Sequence, residues 1–373
     1  MKKKLMIVVN VDWAFLTHRI PLANEAILNG YEVYLVTKDT GRRPEIERMG
    51  INFININFNR SGKNPISELV LLFKLARIFS RTKPDIIHQV TIKPCLYGSI
   101  IARLLNLKIP LVNAISGLGY SFIGRQNFFQ KILLILMSFG FNYHKANFIF
   151  QNPDDQSYYN NLGYLKKGNN VIIKGSGVDV NEVAYKEPIQ KNKLIVILPA
   201  RMLFDKGIKE YSEAAKSIQH KWFGKAAFLY VGGVDLDNPA GATEEQLSKL
   251  LVNDYILWIG HKKSILDSLI HSDIVCLPSY REGLPKALIE AMAIGRPIIT
   301  TDAPGCRECV VDGFNGFKIP IYDTLKLAEK LDLLLCDEKL RISMGINSRK
   351  KMEDELALKI ILGQTFNFYN SIN

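Results

Sequence analysis

The chain has 373 residues, of which 47% are hydrophobic and 10% aromatic; this suits two domains with full cores and excludes a disordered chain. No apolar run reaches 18 residues, so no membrane-spanning helix is expected. The net charge of +12 lies wholly in the first half, where residues 1–180 hold 23 Lys and Arg against 11 Asp and Glu, while residues 181–373 hold 25 of each; such a half suits anionic lipid, nucleic acid or phosphorylated substrates.

The first residues, Met1 to Val9, resemble the charged start of a signal peptide, but Asn10 and Asp12 interrupt the apolar run and no small-residue cleavage site follows. Lys4 to Val11 therefore reads as a first strand. Pro21 to Asn29 reads as a helix stopped by Gly30, Tyr31 to Thr37 as the next strand, and Gly50 to Phe58 repeats the theme. Glu68 to Ser80 is an amphipathic helix, Asp85 to Gln89 a strand, Leu96 to Leu105 a helix and Leu111 to Ser116 a strand. Strands alternating with helices argue for a doubly wound parallel sheet.

Between Asp85 and Asp154 there is no acidic residue, while Lys93, Arg103, Lys108, Arg125, Lys131 and Lys145 are present. Residues 128–142 form a very apolar helix inside this stretch, too short to span a bilayer. It reads either as a core helix or as one lying in a membrane interface. Ala146 to Gln151 and Val171 to Lys174 are strands, and the turn-rich run from Gly175 to Asn181 marks a domain boundary. This places one domain at 1–178 and a second at 179–355.

The alternation then restarts with strands at Leu194–Pro199, Ala226–Val231, Tyr255–Ile259, Ile274–Leu277 and Pro297–Thr301. Two such halves imply a cleft between them. The last stretch is mostly helical, and a helix at about 356–373 is expected to pack on the first domain. Five scattered cysteines, with one CxxC at Cys306 and Cys309 and no second pair, supply no zinc site.

Three strand ends in the second half point to one place. Arg201, Lys206 and Gly207 follow the first strand, Gly232 and Gly233 the second, and the loop from Ser279 to Pro285 a later one. Pro285 is expected at the first helical position before Lys286 to Ala293. Cations and glycines beside helix starts suit a diphosphate, and a carboxylate such as Glu290 suits ribose hydroxyls. Glu282 and Glu290, eight positions apart, can face one ligand from different heights. Neither GxGxxG nor GxxxxGK[ST] nor GxSxG is present, and no His, Cys and Asp cluster has metal spacing.

The ordered set Arg201…Lys206-Gly207, Gly232-Gly233, Gly260, Glu282-x7-Glu290 and Pro304-Gly305…Glu308-x-Val310-x-Asp312-Gly313-x-Asn315-Gly316 resembles the retaining family-4 glycosyltransferases. The resemblance implies the GT-B fold, an α/β architecture of two Rossmann-like domains facing across a cleft. In the first half, Phe15-x-x-His18-Arg19, His88…Thr91-x-Lys93-Pro94 and Ser116-Gly-Leu-Gly119 resemble the branch that extends polyprenyl-diphosphate-linked sugars, often with N-acetylgalactosamine, in bacterial surface-glycan or N-glycan assembly.

The resemblance implies that Arg201 and Lys206 neutralise the donor diphosphate, Glu282 holds hydroxyls of the transferred sugar and Glu290 the ribose. Gly232 and Gly233 belong to the donor site, backbone near Gly283 and Leu284 meets the sugar or β-phosphate, and Ile259 to His261 flank the base. Phe15, His18, Arg19 and Lys93 fall on the acceptor side, although His18 and Lys93 each have an equally plain structural reading, and His88 reads as structural. The donor would be a UDP-sugar and the acceptor a polyprenyl-diphosphate-linked saccharide. No metal or other cofactor is implied, and the protein would sit on the inner face of the cytoplasmic membrane. Val11-Asp12-Trp13-Ala14 departs from the Gly-Gly pair usual in this family, and no histidine follows the strand near Ala114. Other readings are a soluble acceptor and a UDP-sugar 2-epimerase of the same fold. Nucleic-acid binding lacks the interleaved basic and aromatic pattern it would need.

Overall fold

The computed structural model describes residues 2–58, 65–117, 128–236 and 238–372. The chain divides into two units, Met1–Ser176 with Ile361–Asn373, and Gly177–Ile360. The N-terminal unit contains β1 (Lys4–Val11), α1 (Asp12–His18), α2 (Ile20–Leu28), β2 (Glu32–Lys38), α3 (Arg43–Glu47), β3 (Asn52–Asn55), α4 (Pro65–Thr82), β4 (Ile86–Val90), α5 (Ile92–Leu104), β5 (Leu111–Ile115), α6 (Phe128–Phe141), β6 (Ala146–Phe150), α7 (Pro153–Asn161) and β7 (Asn170–Ile172). Its sheet runs β3-β2-β1-β4-β5-β6-β7, and every pairing is parallel.

Both faces of this sheet are covered, which is why its strands are nearly continuous apolar runs. Alternation sorts them: Leu5, Ile7 and Val9 enter one core, Met6 and Val8 the other. The Met6 side packs Leu75 and Phe79 of α4, Ile101 of α5, and Met137 and Phe141 of α6. The Leu5 side packs Phe15, Leu22 and Ala26 with Ile361, Phe368, Tyr369 and Ile372. These last four come from α15 (Leu358–Ile372), which completes the core of the N-terminal unit from the far end of the sequence.

The C-terminal unit contains β8 (Leu194–Pro199), α8 (Ile208–Ser217), α9 (Gln219–Trp222), β9 (Ala226–Val231), α10 (Glu244–Ser248), β10 (Ile256–Trp258), α11 (Leu266–Ile270), β11 (Ile274–Leu277), α12 (Lys286–Ala293), β12 (Ile298–Thr301), β13 (Gly316–Ile319), α13 (Thr324–Cys336) and α14 (Glu338–Glu355). The sheet order is β10-β9-β8-β11-β12-β13, again wholly parallel. Within each unit the strand order reverses after the first strand. That reversal opens a crevice at the carboxyl ends of the first and fourth strands, where such sheets bind ligands.

Several expectations are corrected. Helix α1 begins directly off β1, with Val11 as its cap and no loop between. Pro285 is the extended residue that caps α12, at φ −73° and ψ 111°, so the helix proper starts at Lys286. Helix α5 starts at Ile92, four residues earlier than expected, because Pro94 is tolerated in a first turn whose amides have no helical partner. Helix α6 joins the core through Met137 and Phe141, while Ile132, Ile135, Leu136 and Phe139 are exposed.

Candidate functional site

In the C-terminal unit the reversal lies between β8 and β11, and the loops after these strands are tied together. Tyr280 N donates to Asp205 O at 2.9 Å, and Ser279 Oγ to the same carbonyl at 3.0 Å. Gly207 caps α8 at φ 73°, and a Cβ there would stand 2.2 Å from Pro278 O. Only glycine lets the two loops approach this closely. The loop after β12 joins them: Glu282 N donates to Pro304 O at 3.0 Å, and a Cβ on Gly305 would lie 2.4 Å from the carbonyls of both Glu282 and Gly283.

This assembly brings Lys206 and Glu282, 76 residues apart, into an ion pair at 2.6 Å, with both side chains about 15% exposed. Burial works against the ammonium, but Glu282 and Asp205 outweigh it and hold Lys206 above its ordinary range. Asp205 is raised by burial, opposed by Lys206 and reinforced by Glu282, and its Oδ1 is buried with no partner. Arg201 is half exposed and pairs with Asp235.

The β9 end is knit to its neighbours on both sides. Met202 N donates to Gly233 O at 2.9 Å and Gly232 N to Gly260 O at 3.0 Å. Trp258 Nε1 donates to Gly232 O at 2.8 Å. His261, which is exposed, lies beside Gly233. Arg201, Lys206, Gly232, Gly233, Ile259, His261, Glu282, Gly283 and Leu284 therefore all lie along one carboxyl edge of the sheet, with Gly283 and Leu284 buried in the loop. Glu290 lies on α12, 3.6 Å from Lys286, and burial raises its carboxyl despite that lysine. The two glutamates thus sit in separate ion pairs. Sequence reasoning missed Asp205, Asp235 and Glu210, whose carboxylate accepts from Tyr280 Oη at 2.8 Å. An acid between Arg201 and Lys206 was the available signal for the first.

In the N-terminal unit the reversal lies between β1 and β4. Asp12 starts α1 fully buried and accepts from Thr40 N and Thr40 Oγ1, both at 2.6 Å, so a carboxylate ties down the turn where the family usually has two glycines. Lys93 pairs with Glu68 at 2.9 Å. Phe15 is fully buried against the sheet, a core side chain and not a wall of any site, because α1 turns that position inward. His88 is buried, with Nδ1 2.8 Å from Tyr369 Oη, and Arg19 is buried beside it. Of the Ser116 to Gly119 stretch, Leu118 and Gly119 lie outside the described residues, as does Arg125.

Two family descriptions match this chain: "Glycosyl transferases group 1" over residues 179–351 and "Glycosyl transferase 4-like" over residues 4–152. The chain is 31% identical over 333 residues, 85% of each sequence, to the N,N'-diacetylbacillosaminyl-diphospho-undecaprenol alpha-1,3-N-acetylgalactosaminyltransferase of Campylobacter jejuni. It is 26% identical over 299 residues, 77% of this chain and 75% of the other, to the UDP-Gal:alpha-D-GlcNAc-diphosphoundecaprenol alpha-1,3-galactosyltransferase of Escherichia coli. Among solved structures, a glycosyltransferase from Rickettsia africae superposes with a TM-score of 0.77 at 20% identity, covering 100% of this chain and 98% of that one. Anabaena HepE in complex with UDP and glucose gives 0.78 at 17% identity, covering 99% and 100%.

Proposed function

This chain belongs to the glycosyl transferase group 1 family, and from that premise we propose that it transfers a sugar, N-acetylgalactosamine in the first instance, from its UDP donor to a polyprenyl-diphosphate-linked saccharide with retention of configuration. The observation that carries the reading is the Lys206–Glu282 pair at the sheet reversal, with Arg201 on the same edge. The pair is neutral as it stands. A donor diphosphate would claim the lysine and free the carboxylate for the hydroxyls of the sugar.

The reaction breaks the bond from the anomeric carbon to the diphosphate oxygen and forms one to the acceptor hydroxyl on the same face. Negative charge grows on the departing UDP, so fixed cations at Lys206 and Arg201 stabilise the transition state more than the ground state. The acceptor proton passes to the leaving phosphate oxygen, and no metal or side-chain base is called for. Glu290 accepts from the ribose hydroxyls, and Ile259 to His261 border the base. The lipid acceptor is supported by the Campylobacter and Escherichia relatives, both named for diphospho-undecaprenol substrates.

The proposed membrane surface is the α4 and α6 side of the N-terminal unit. Ile66, Leu69, Val70 and Phe73 project from α4 at helical spacing, with Lys74, Arg77 and Arg81 exposed on the same helix. Helix α6 adds Ile132, Ile135, Leu136 and Phe139, with the Arg103 guanidinium 4.3 Å over the Phe139 ring. Apolar side chains beside exposed cations fit a helix lying in an anionic lipid interface. Among the described residues no helix is long and apolar enough to cross a membrane.

Product analysis tests the chemistry. With each UDP-sugar and EDTA present, NMR of the new glycosidic linkage should show the donor's own α configuration. A β product, or turnover that requires an added divalent cation, would refute the mechanism.

A further inference from the structure

Arg201, Asp205, Lys206, Asp235 and Glu282 gather at the edge where the donor diphosphate is placed above, and their balance is wrong for an anion. Arg201 pairs with Asp235 and Lys206 with Glu282, so both cations are already answered. Asp205 is left over as a third carboxyl. Fully ionised, the cluster has a surplus of negative charge before any ligand arrives, and a diphosphate adds to it.

Asp205 lies within a short 3-10 turn, Phe204–Lys206. Its carbonyl anchors the loop after β11, accepting from Tyr280 N at 2.9 Å and Ser279 Oγ at 3.0 Å. Its carboxyl is held quite differently. Oδ1 is buried with no partner, and no other described residue donates a hydrogen bond to either oxygen; only its own backbone N–H is in reach. The charged groups that face it are Lys206 on the same turn, Arg201 after β8 and Glu282 on the loop after β11, with the Tyr280 phenol beside them. A carboxylate short of donors is poorly solvated, whereas the protonated acid loses little in the same place. Burial already makes Asp205 hold its proton more tightly than usual; Lys206 and Arg201 oppose this, and Glu282 adds to it.

When the diphosphate draws Lys206 off Glu282, both carboxyls lose the cation that kept them ionised. Glu282 gains donors from the sugar hydroxyls, which favour its charged form, and Asp205 gains none. We propose that Asp205 takes up a proton as the donor binds, so that Arg201 and Lys206 meet the diphosphate with one carboxylate fewer beside them. The inference rests on the donor reading above and deepens it, because donor affinity then depends on pH through a named side chain. Affinity falls as the pH rises through the interval between the pKa of Asp205 without donor and its higher pKa with donor bound, by at most about tenfold per pH unit.

Calorimetry on the full-length protein tests it, with intact UDP-GalNAc, then the other UDP-sugars, and no acceptor. The diphosphate of a UDP-sugar does not itself titrate between about pH 5 and 8, so any proton taken up belongs to the protein. Repeating each titration in buffers of different ionisation enthalpy counts those protons. Wild type is expected to take up at least about half a proton at some pH in this range, with affinity falling as the pH rises. Asp205→Asn keeps the size and removes the charge. It should take up no proton, bind with an affinity that does not change with pH, and bind more tightly than wild type at the alkaline end. Equal uptake by Asp205→Asn, as would follow if His261 beside Gly233 titrated instead, overturns the proposal. So does a lower Tm in that variant with an unchanged proton count, the mark of a merely structural residue. The wild-type count needs no variant to fold: donor binding without uptake overturns this proposal and leaves the donor reading standing, whereas no binding of any UDP-sugar overturns both.

Discussion

Replacing Lys206 by Met removes a buried cation and separates two roles that the structure superimposes on it. A full charge at about 4 Å from a cation, in surroundings with an effective dielectric near 20, gains about 4 kcal/mol. If the leaving diphosphate gains about half a charge in the transition state, the loss is about 2 kcal/mol, or roughly 30-fold in turnover. Lost oxyanion donors in other enzymes cost up to about 1000-fold, which sets the upper end. The same substitution strands the Glu282 carboxylate, only 16% exposed, without its partner at 2.6 Å. Breaking a fully buried pair costs about 3–5 kcal/mol; at this exposure about 2 kcal/mol is expected, a fall in Tm of about 4–8 °C. The control is the double variant Lys206→Met/Glu282→Gln, which removes both charges. Its Tm should recover, and its UDP release at saturating donor and acceptor should stay at or below that of the single variant. Recovery of turnover in the double variant would refute the reasoning, because Lys206 would then have served only to hold Glu282.

Glu290 should show opposite effects on stability and binding. Burial raises its carboxyl, so the folded protein holds that proton more tightly than the unfolded chain. The resulting destabilisation is absent below the unfolded pKa of about 4.3 and fully present above the folded pKa. Glu290→Gln should therefore raise Tm at pH 7–8, with a gain that fades on acidification, while weakening UDP binding by about 10- to 100-fold in calorimetry. Unchanged UDP affinity would count against the ribose role. Gly305→Ala places a methyl against two carbonyls at a φ of 78°; strain and displacement together should cost at least about 2 kcal/mol and shift the Glu282 loop, seen as a lower Tm with reduced turnover. Leu69→Asp with Phe73→Asp should cut flotation with phosphatidylglycerol vesicles by at least about tenfold and leave Tm nearly unchanged, since both side chains are more than 60% exposed. Undiminished flotation would move the membrane face elsewhere.

Much of the fold was legible because doubly covered parallel strands leave a plain trace. β1, β8, β9 and β11 were placed to the residue, since each is an apolar run fixed by burial on both faces. Helix α12 was equally clear, being a run of good helix formers behind a proline. Helix α1 was not, because its cap is Val11 with no side-chain bond and its first residue is an acid bound to a distant loop. Helix α7 could have been found: Asn152 caps it by accepting from Asp155 N at 2.8 Å, with Pro153 in the first position. β13 is four residues at a sheet edge that open on glycine, too short for its pattern to stand out.

The carboxyl edge that gathers Arg201, Lys206 and Glu282 followed from strand ends alone. That Lys206 would pair with Glu282, and Arg201 with Asp235, did not. Those partners are set by how loops from different strands fold over one another, and spacing in one sequence carries no record of it. Phe15 shows the converse: the family resemblance grouped it with His18 on the acceptor side, but the turn of α1 sends one to the core and the other to a pocket wall.

The central claim is tested most directly by label transfer into organic-extractable lipid. The protein would be given UDP-GalNAc, UDP-GlcNAc, UDP-galactose and UDP-glucose separately, with a polyprenyl-diphosphate-linked monosaccharide as acceptor and EDTA present. The account predicts label in the lipid phase from one donor, UDP-GalNAc first. No label from any donor, together with a Tm that UDP does not shift, would contradict it.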